Sequence, residues 1–135
     1  MQKVLLVEDD PLVYRLYQKL FKLENFEIET AENGQIGLDK LKTFHPDIIL
    51  LDVMMKTMNG LDMLTKLKAD KATADILVVV LTNVADMRIT QLASEHGAVT
   101  VLIKSQSEPA DVVGMVKGCW PRRRNERAGR TDGVA

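Results

Sequence analysis

Five short strand-like segments lie between residues 4 and 103, and each leads into a polar turn followed by apolar residues at helical spacing. Apolar runs without helical period are typical of strands buried on both faces of a parallel sheet, and residues 4–7, 48–51, 76–81 and 99–103 have this pattern. Residues 26–30 instead alternate between apolar and polar side chains, which predicts a strand with one exposed face. Strands that alternate with helices predict a parallel sheet with right-handed crossovers and helices on both faces.

The helices have recognisable start and stop signals. Pro11 at the first helical position with Asp10 as N-cap predicts the start of the first helix, and Gly97 is the predicted C-cap of the fourth. The segment 105–108 has capping-box form, so we expect a last helix from about Ser107 to Gly118. The apolar residues at helical spacing in the first helix are Leu12, Val13, Leu16, Leu20 and Leu23, and those predicted to face inward in the fourth are Ile89, Leu92 and Ala93.

Polar residues follow the strands at their carboxyl ends. Glu8 and Asp9 leave the first strand, Asp52 ends the third, Thr82 the fourth and Lys104 the fifth. Carboxyl ends of parallel strands share one edge of the sheet, which is where open α/β sheets bind ligands. One strand-end aspartate by itself equally well caps a turn, but a coincidence of such residues from four strands is a poor explanation.

This set predicts phosphoryl chemistry. Two unit charges 4 Å apart repel by about 4 kcal/mol at an effective dielectric of 20, and a hard cation such as Mg²⁺ relieves that repulsion with oxygen ligands. Asp52 can act as a nucleophile toward a phosphoryl group. The Lys104 ammonium would neutralise phosphate charge, and the Thr82 hydroxyl would donate to the phosphoryl oxygens.

The chain resembles the response-regulator receiver domain of two-component signalling over roughly residues 2 to 118. The matching segments are Val4 to Pro11, Pro46 to Met55 with Asn59-Gly60, Val79 to Thr82, and Lys104. The resemblance implies a flavodoxin-like, doubly wound (βα)5 sandwich with a five-stranded parallel sheet in the order 2-1-3-4-5.

The resemblance also implies residue roles and partners. Asp52 would be the phosphorylation site and Asp9 a direct Mg²⁺ ligand, with Glu8 bound through water and the main-chain carbonyl of Met54 as a further ligand. Thr82 and Lys104 would contact the phosphoryl group. A sensor histidine kinase or phosphotransfer protein would supply that group, and the surface of the fourth helix, fifth strand and fifth helix would switch in response.

Four positions depart from the family pattern. Lys56 and Ser105 replace prolines, Asn83 replaces a small residue, and Val101 replaces an aromatic ring. A cis bond without proline costs about 2.5 to 4 kcal/mol, which favours a trans Lys104–Ser105 peptide. Because Val101 provides no aromatic ring, we expect the conformational change on phosphorylation to be smaller, or to be transmitted by other residues.

Two other functions compete with a phosphorylated receiver. A phosphatase of the haloacid dehalogenase type needs two aspartates spaced two residues apart at the first strand's end, and residues 8–10 do not supply them. We therefore expect a phosphoacceptor domain rather than an enzyme. The remaining alternative is a pseudo-receiver, a protein-interaction scaffold that phosphorylation does not switch.

Charge divides the chain into two parts. Five arginines against Glu126 and Asp132 give residues 121–135 a net charge of +3, which leaves −4 for the first 120 residues. We expect a receiver domain over 1–120 and a disordered tail or linker stub over 121–135. The predicted downstream partner is an effector protein or an output domain C-terminal to this sequence. The sequence does not decide between a monomer and a homodimer.

The hydropathy of the sequence indicates in which cell compartment we expect the protein. The chain is 46% hydrophobic, yet no stretch is long enough to cross a bilayer, and the acids at 8–10 come too early for a signal peptide. We expect a cytoplasmic protein without membrane contact and without direct nucleic-acid binding. The single Cys119 has no partner for a disulfide and no companion ligands for zinc.

Overall fold

The computed structural model describes residues 2–53, 60–82, 87–98, 100–103 and 108–117. Strands and helices alternate along the chain as the apolar periodicity predicts. The strands are β1 (Lys3–Val7), β2 (Glu27–Ala31), β3 (Ile48–Asp52), β4 (Leu77–Thr82) and β5 (Thr100–Ile103). The helices are α1 (Pro11–Leu23), α2 (Gly34–Lys40), α3 (Gly60–Ala69) and α4 (Met87–Glu95), with a last helix, α5, over residues 109–117.

The five strands form one parallel sheet in the order β2-β1-β3-β4-β5. This is the predicted flavodoxin-like arrangement, with the order reversing beside β1. The three central strands β1, β3 and β4 are buried along nearly their whole length, because helices cover both faces of the sheet. Their continuous apolar runs are the sequence signature of that double cover.

Two hydrophobic clusters flank the sheet. On one face, side chains of β1, β3 and β4 pack with Tyr17 and Phe21 of α1 and Val116 of α5. On the other face they pack with Met63 and Leu67 of α3 and with residues of α2 and α4. Successive residues of each strand pack into opposite clusters, so even-numbered and odd-numbered residues of a strand lie on opposite faces of the sheet.

Two helix faces differ from the sequence expectation. Leu12, Leu16 and Leu23 of α1 are 78%, 44% and 70% exposed, whereas Tyr17 and Phe21 are buried. Leu92 of α4, predicted to face inward, is 40% exposed. In α1 the aromatic residues take the core positions because they bury more apolar area than leucine, and Phe21 packs edge-on against Phe26 with ring centroids 5.1 Å apart.

The capping signals are largely confirmed. The Asp10 carboxylate accepts a hydrogen bond from Leu12 N–H at 3.0 Å, and Gly97 has the left-handed φ of 98° that a C-cap glycine adopts. The last helix begins at 109, where Asp111 accepts from Glu108 N–H at 3.2 Å. The predicted cap residues 105–107 lie outside the described residues. No helix within the described residues is long and apolar enough to cross a bilayer.

Candidate functional site

Strand register brings the predicted acids together. Val7 of β1 pairs with Leu51 of β3, so Glu8 and Asp52 follow at neighbouring positions. Glu8 is held there because its N–H donates to the Ala31 carbonyl at 2.9 Å, which extends the β1–β2 ladder by one residue. The predicted convergence of these acids at one edge of the sheet is confirmed.

The acids form a compact cluster. One carboxylate oxygen from each of Glu8, Asp9 and Asp52 lies within 4.8 Å of the others. Glu8 and Asp52 are only 1% and 3% exposed, whereas Asp9 is half-buried. Glu8 also accepts a hydrogen bond from Asp10 N–H at 3.3 Å. Carboxylates are seldom fully buried in proteins, so two buried acids at one edge of the sheet mark this cluster as the candidate functional site.

The donor set fits a hard divalent cation. All three side chains offer carboxylate oxygens, the ligand type that Mg²⁺ and Ca²⁺ prefer. Opposite ligands of an octahedral magnesium ion stand about 4.2 Å apart, from bond lengths of about 2.1 Å. A spread of up to 4.8 Å accommodates such an ion when a water molecule joins one acid to it. The cluster can therefore hold a metal.

Thr82 ends β4 and is completely buried. Asp52 pairs in register with Leu81, so Thr82 lies one residue further toward the site edge. One face of the sheet is covered by α1 and α5 (the α1–α5 face), and the other by α2, α3 and α4 (the α2–α4 face). Because side chains alternate along a strand, Thr82 lies on the α2–α4 face with Val78 and Val80, whereas Asp52 lies on the α1–α5 face. The Thr82 hydroxyl and the Asp52 carboxylate therefore lie at the same edge of the sheet but on its opposite faces.

Gly60 has a structural role that composition alone does not reveal. It begins α3, and its N–H donates to the Val53 carbonyl at 3.3 Å. A Cβ at this position would lie 2.6 Å from both the Asp52 carbonyl oxygen and the Val53 Cα. The start of α3 therefore sits directly against the end of β3, which fixes the backbone that carries Asp52.

Tyr17 is a neighbour of the cluster that sequence reasoning missed. Burial raises the pKa of Tyr17 to about 12, and the negative charge of Glu8 adds to the increase. Glu8 follows Val4 and Leu6 in alternation, so it faces the α1 side where Tyr17 lies. No spacing along the sequence signals this proximity, because Glu8 follows β1 whereas Tyr17 belongs to α1.

Several predicted site residues cannot be placed. Met54, Lys56, Asn83, Lys104 and Ser105 lie outside the described residues, and so does the predicted tail. The phosphate-partner role of Lys104, the Met54 carbonyl ligand and the Lys104–Ser105 peptide geometry therefore stay predictions. Val101, the position without the family's aromatic ring, is half-buried against the α2–α4 cluster.

The fold and the acidic strand ends define a doubly wound α/β domain with a carboxylate cluster at its carboxyl edge. The chain belongs to the response regulator receiver domain family, whose family model matches residues 4–117. It is thus a receiver domain of two-component systems.

Curated relatives agree with this assignment. The transcriptional regulatory protein MalR of Bacillus subtilis is 37% identical over 106 residues, covering 77% of this chain and 44% of the relative. The DNA-binding response regulator MtrA of Mycolicibacterium smegmatis is 28% identical over 127 residues, covering 94% of this chain and 54% of the relative. The chain spans about half the length of these relatives.

Solved structures show the same fold. A CheY-like receiver domain protein of Methanospirillum hungatei superposes with a TM-score of 0.84 at 22% identity, covering 93% of this chain and 98% of that one. The Mn²⁺-bound form of response regulator Rcp1 superposes with a TM-score of 0.76 at 26% identity, covering 88% of this chain and 91% of that one.

Proposed function

We propose that this domain accepts a phosphoryl group on Asp52 from the phosphohistidine of a sensor histidine kinase or a phosphotransfer protein. The observation that carries the proposal is the cluster of Glu8, Asp9 and Asp52 oxygens within 4.8 Å at the end of a buried strand. Family membership supports it, because the cluster falls on the residues that the resemblance assigns to this role.

The proposed step is an in-line transfer. An Asp52 carboxylate oxygen forms the new P–O bond as the P–N bond to the donor imidazole breaks. The electron pair of that bond returns to the imidazole nitrogen, which takes up a proton from water. Such transfers depend on positioning and charge neutralisation more than on proton transfer, so the buried, rigidly held end of β3 suits the nucleophile.

The other residues would act electrostatically. Thr82 would donate its hydroxyl to a phosphoryl oxygen, and Lys104 would supply a positive charge. Glu8, Asp9, Asp52 and the Met54 carbonyl would hold Mg²⁺, which offsets phosphate charge when bound. Binding of Mn²⁺ by the related Rcp1 supports a divalent cation in this fold.

The proposed output is a change in the surface formed by α4, β5 and α5. Thr82 connects the site to that region, because it pairs with Ile103 of β5 and precedes the segment that leads to α4. The relatives MalR and MtrA are named as transcriptional and DNA-binding regulators. We propose that this receiver likewise signals to an effector, either a separate protein or an output domain joined to residues 121–135.

Labelling with small phosphodonors tests the proposal. The protein is incubated with acetyl phosphate, with MgCl2 or with EDTA, and the modified residue is mapped by mass spectrometry after borohydride trapping. We expect one phosphoryl group on Asp52 in the presence of Mg²⁺, and none on the Asp52→Asn variant. Asp47→Asn is the matched control, because Asp47 precedes the same strand at its opposite end.

Other outcomes assign other functions. Label on a different residue, or no label with any donor, contradicts the proposal and favours a pseudo-receiver scaffold. Catalytic turnover of a phosphate ester beyond one equivalent would instead indicate a phosphatase.

A further inference from the structure

The outward side of α1 carries a stripe of exposed leucines. Leu12, Leu16 and Leu23 are 78%, 44% and 70% exposed, and their spacing of four and seven residues places them on one side of the helix. They are three of the five large apolar side chains that are exposed in the described part of the chain. The stripe extends over nearly the whole length of α1, away from the acid cluster, so the proposed phosphorylation does not account for it.

The stripe continues into a groove between α1 and α5. Leu20 and Leu23 of α1 with Val113 and Gly114 of α5 line a cavity of about 240 Å³, which we call the α1–α5 groove. A Cβ built on Gly114 meets no heavy atom within 4 Å. Glycine is, after proline, the least favourable residue within a helix. The outer side of α5 therefore keeps open a space that an ordinary helical residue would fill.

Charges of opposite sign flank the two sides of this surface. Arg15, Lys19 and Lys22 are exposed on α1, and none of them forms an ion pair within the described residues. Glu108, at the start of α5, and Asp111, in its first turn, are also exposed and form no ion pair with a described residue. The surface is thus leucine-rich and cationic on one helix, and open and acidic on the other.

An ion pair fixes how the two helices align. Nζ of Lys117 in α5 donates to Oε2 of Glu24, the C-cap of α1, at 2.6 Å. Both helices return across the same face of a parallel sheet, so they run in the same direction. Arg15 lies nine residues before Glu24, and Glu108 lies nine residues before Lys117. At about 1.5 Å per residue, Arg15 and Glu108 therefore stand at the same height along the helix pair.

We propose that this surface binds the same surface of a second copy of the chain, about a two-fold axis parallel to the helices. Such an axis places α1 of one copy over α5 of the other and leaves the heights unchanged. Arg15 then faces Glu108 of the second copy. Lys19, five residues before Glu24, faces Asp111 of the second copy, which lies six residues before Lys117. Each contact occurs twice, as an isologous interface requires.

The apolar parts fit the same arrangement. Leu16 lies eight residues before Glu24, and Ala110 lies seven before Lys117, so the leucine stripe of one copy meets the small residues of the other. Leu23 and Gly114 differ by two residues in height, about 3 Å. A cavity of about 150 Å³ holds a benzene ring, so the α1–α5 groove, at about 240 Å³, has room for an inserted leucine side chain.

Charge excludes the simplest alternative pairing. If α1 packed on α1 of the second copy, the exposed cations Arg15, Lys19 and Lys22 would lie along both sides of one contact and repel. Packing α1 on α5 replaces that repulsion by attraction between unlike charges. The arrangement of charges therefore selects the α1-on-α5 pairing for a second copy.

The size of the surface predicts a weak dimer. The 13 residues of α1 rise about 20 Å, and two packed helices, each about 10 Å wide, span about 20 Å across. The resulting face covers roughly 400 Å² per copy, half of the about 800 Å² per partner that stable complexes bury. We expect a dissociation constant of roughly 100 μM, with monomers at low micromolar concentration.

Sedimentation velocity of the full, unphosphorylated chain from 5 μM to 1 mM tests the proposal. We expect the sedimentation coefficient to rise from that of a monomer toward that of a dimer, and less so in 0.5 M NaCl. Arg15→Glu and Glu108→Lys should each weaken association about tenfold, and Gly114→Leu, which fills the groove, should abolish it. Lys66→Glu is the matched control: Lys66 is exposed on α3, across the sheet, and should leave association unchanged.

Mixing the two charge variants is the sharpest arm of the experiment. In each variant alone, like charges face each other at both copies of the contact. In a heterodimer of Arg15→Glu with Glu108→Lys, unlike charges face each other at both. The equimolar mixture should therefore associate about as strongly as the parent protein. A loss of folding or stability in either variant cannot produce this recovery.

Three results would overturn the inference. The first is a chain that stays monomeric up to 1 mM, which leaves the surface to a different protein. The second is association that persists unchanged in Gly114→Leu and in both charge variants while circular dichroism shows them folded, because the dimer then uses another surface. The third is a mixture that associates no better than its components. Phosphorylation takes part in no arm, so the test is independent of the proposed function.

Discussion

Removing one charge from the acid cluster should stabilise the metal-free protein. Asp52→Asn keeps the size of the side chain and neutralises a carboxylate that lies within 4.8 Å of Glu8 and Asp9. At 4.8 Å two unit charges repel by about 3.5 kcal/mol for an effective dielectric of 20. Polar contacts of these acids offset part of that repulsion, so we expect the free energy of unfolding to rise by about 1 to 3 kcal/mol.

Magnesium should make the parent protein more stable than the Asp52→Asn variant. A ligand that binds only the folded state stabilises it by about 2.7 kcal/mol at one hundred times its dissociation constant. The parent protein should gain stability of that order on titration with MgCl2, whereas the Asp52→Asn variant has lost a ligand and should gain much less. Urea unfolding followed by circular dichroism, in EDTA and in MgCl2, measures both quantities from the same transition.

Asp39→Asn is the control for the loss of a carboxylate as such. Its side chain is 55% exposed in α2, so its effect should stay within about 0.5 kcal/mol in both buffers. The reasoning fails if Asp52→Asn is less stable than the parent in EDTA, because then the buried carboxylate is a net stabiliser. It also fails if MgCl2 stabilises parent and Asn variant equally, since the cation would then bind elsewhere.

Three further predictions concern residues around the site and the loops. Tyr17 keeps its proton up to about pH 12 when folded and only to about pH 10 when unfolded, so stability should fall across that range by up to about 2.7 kcal/mol, and Tyr17→Phe should remove that slope in urea titrations. Lys68 donates from Nζ to two carbonyl oxygens of the loop before β4, at 2.9 and 2.8 Å, so Lys68→Met should cost about 1 to 3 kcal/mol of unfolding free energy and speed amide exchange in that loop. Gly60→Ala forces backbone atoms apart and should cost about 1 to 3 kcal/mol, whereas Gly114→Ala, in open space, should gain up to about 1 kcal/mol in the same assay.

The sheet and its site edge were predictable because both depend on pattern rather than on contact. A continuous run such as Ile48–Leu51 has to be covered on both faces, which requires helices on both sides and parallel strands between them. Once the strands are parallel, Glu8 and Asp52 must lie at the same edge of the sheet, and chain order with the hydrophobic effect suffices for that conclusion. The pairing of β1 with β3, which makes the two acids neighbours, was predicted only from the family resemblance.

Helix orientation was less predictable because α1 has apolar residues around most of its circumference. Leucine spacing favoured a face containing Leu12 and Leu16, but the core is filled by Tyr17 and Phe21. The choice between two apolar faces depends on how side chains interlock with β2 and α5, and the T-shaped contact of Phe21 with Phe26 is part of that fit. The same holds for Gly60, whose necessity comes from a 2.6 Å approach that only three-dimensional packing creates.

The alternation of strand residues bears on how a phosphorylated site would be read. Asp52 lies on the parity of the α1–α5 face, and Thr82 on that of the α2–α4 face. A Thr82 hydroxyl drawn toward a phosphoryl group would therefore pull on the side of the sheet where Ile89 and Ala93 of α4 pack. Val101 packs on that same side, and its β-branched side chain has little rotamer freedom with which to follow. Under the proposed function, we therefore expect phosphorylation of Asp52 to be transmitted through the side of the sheet that packs on α4, rather than through a side chain at position 101.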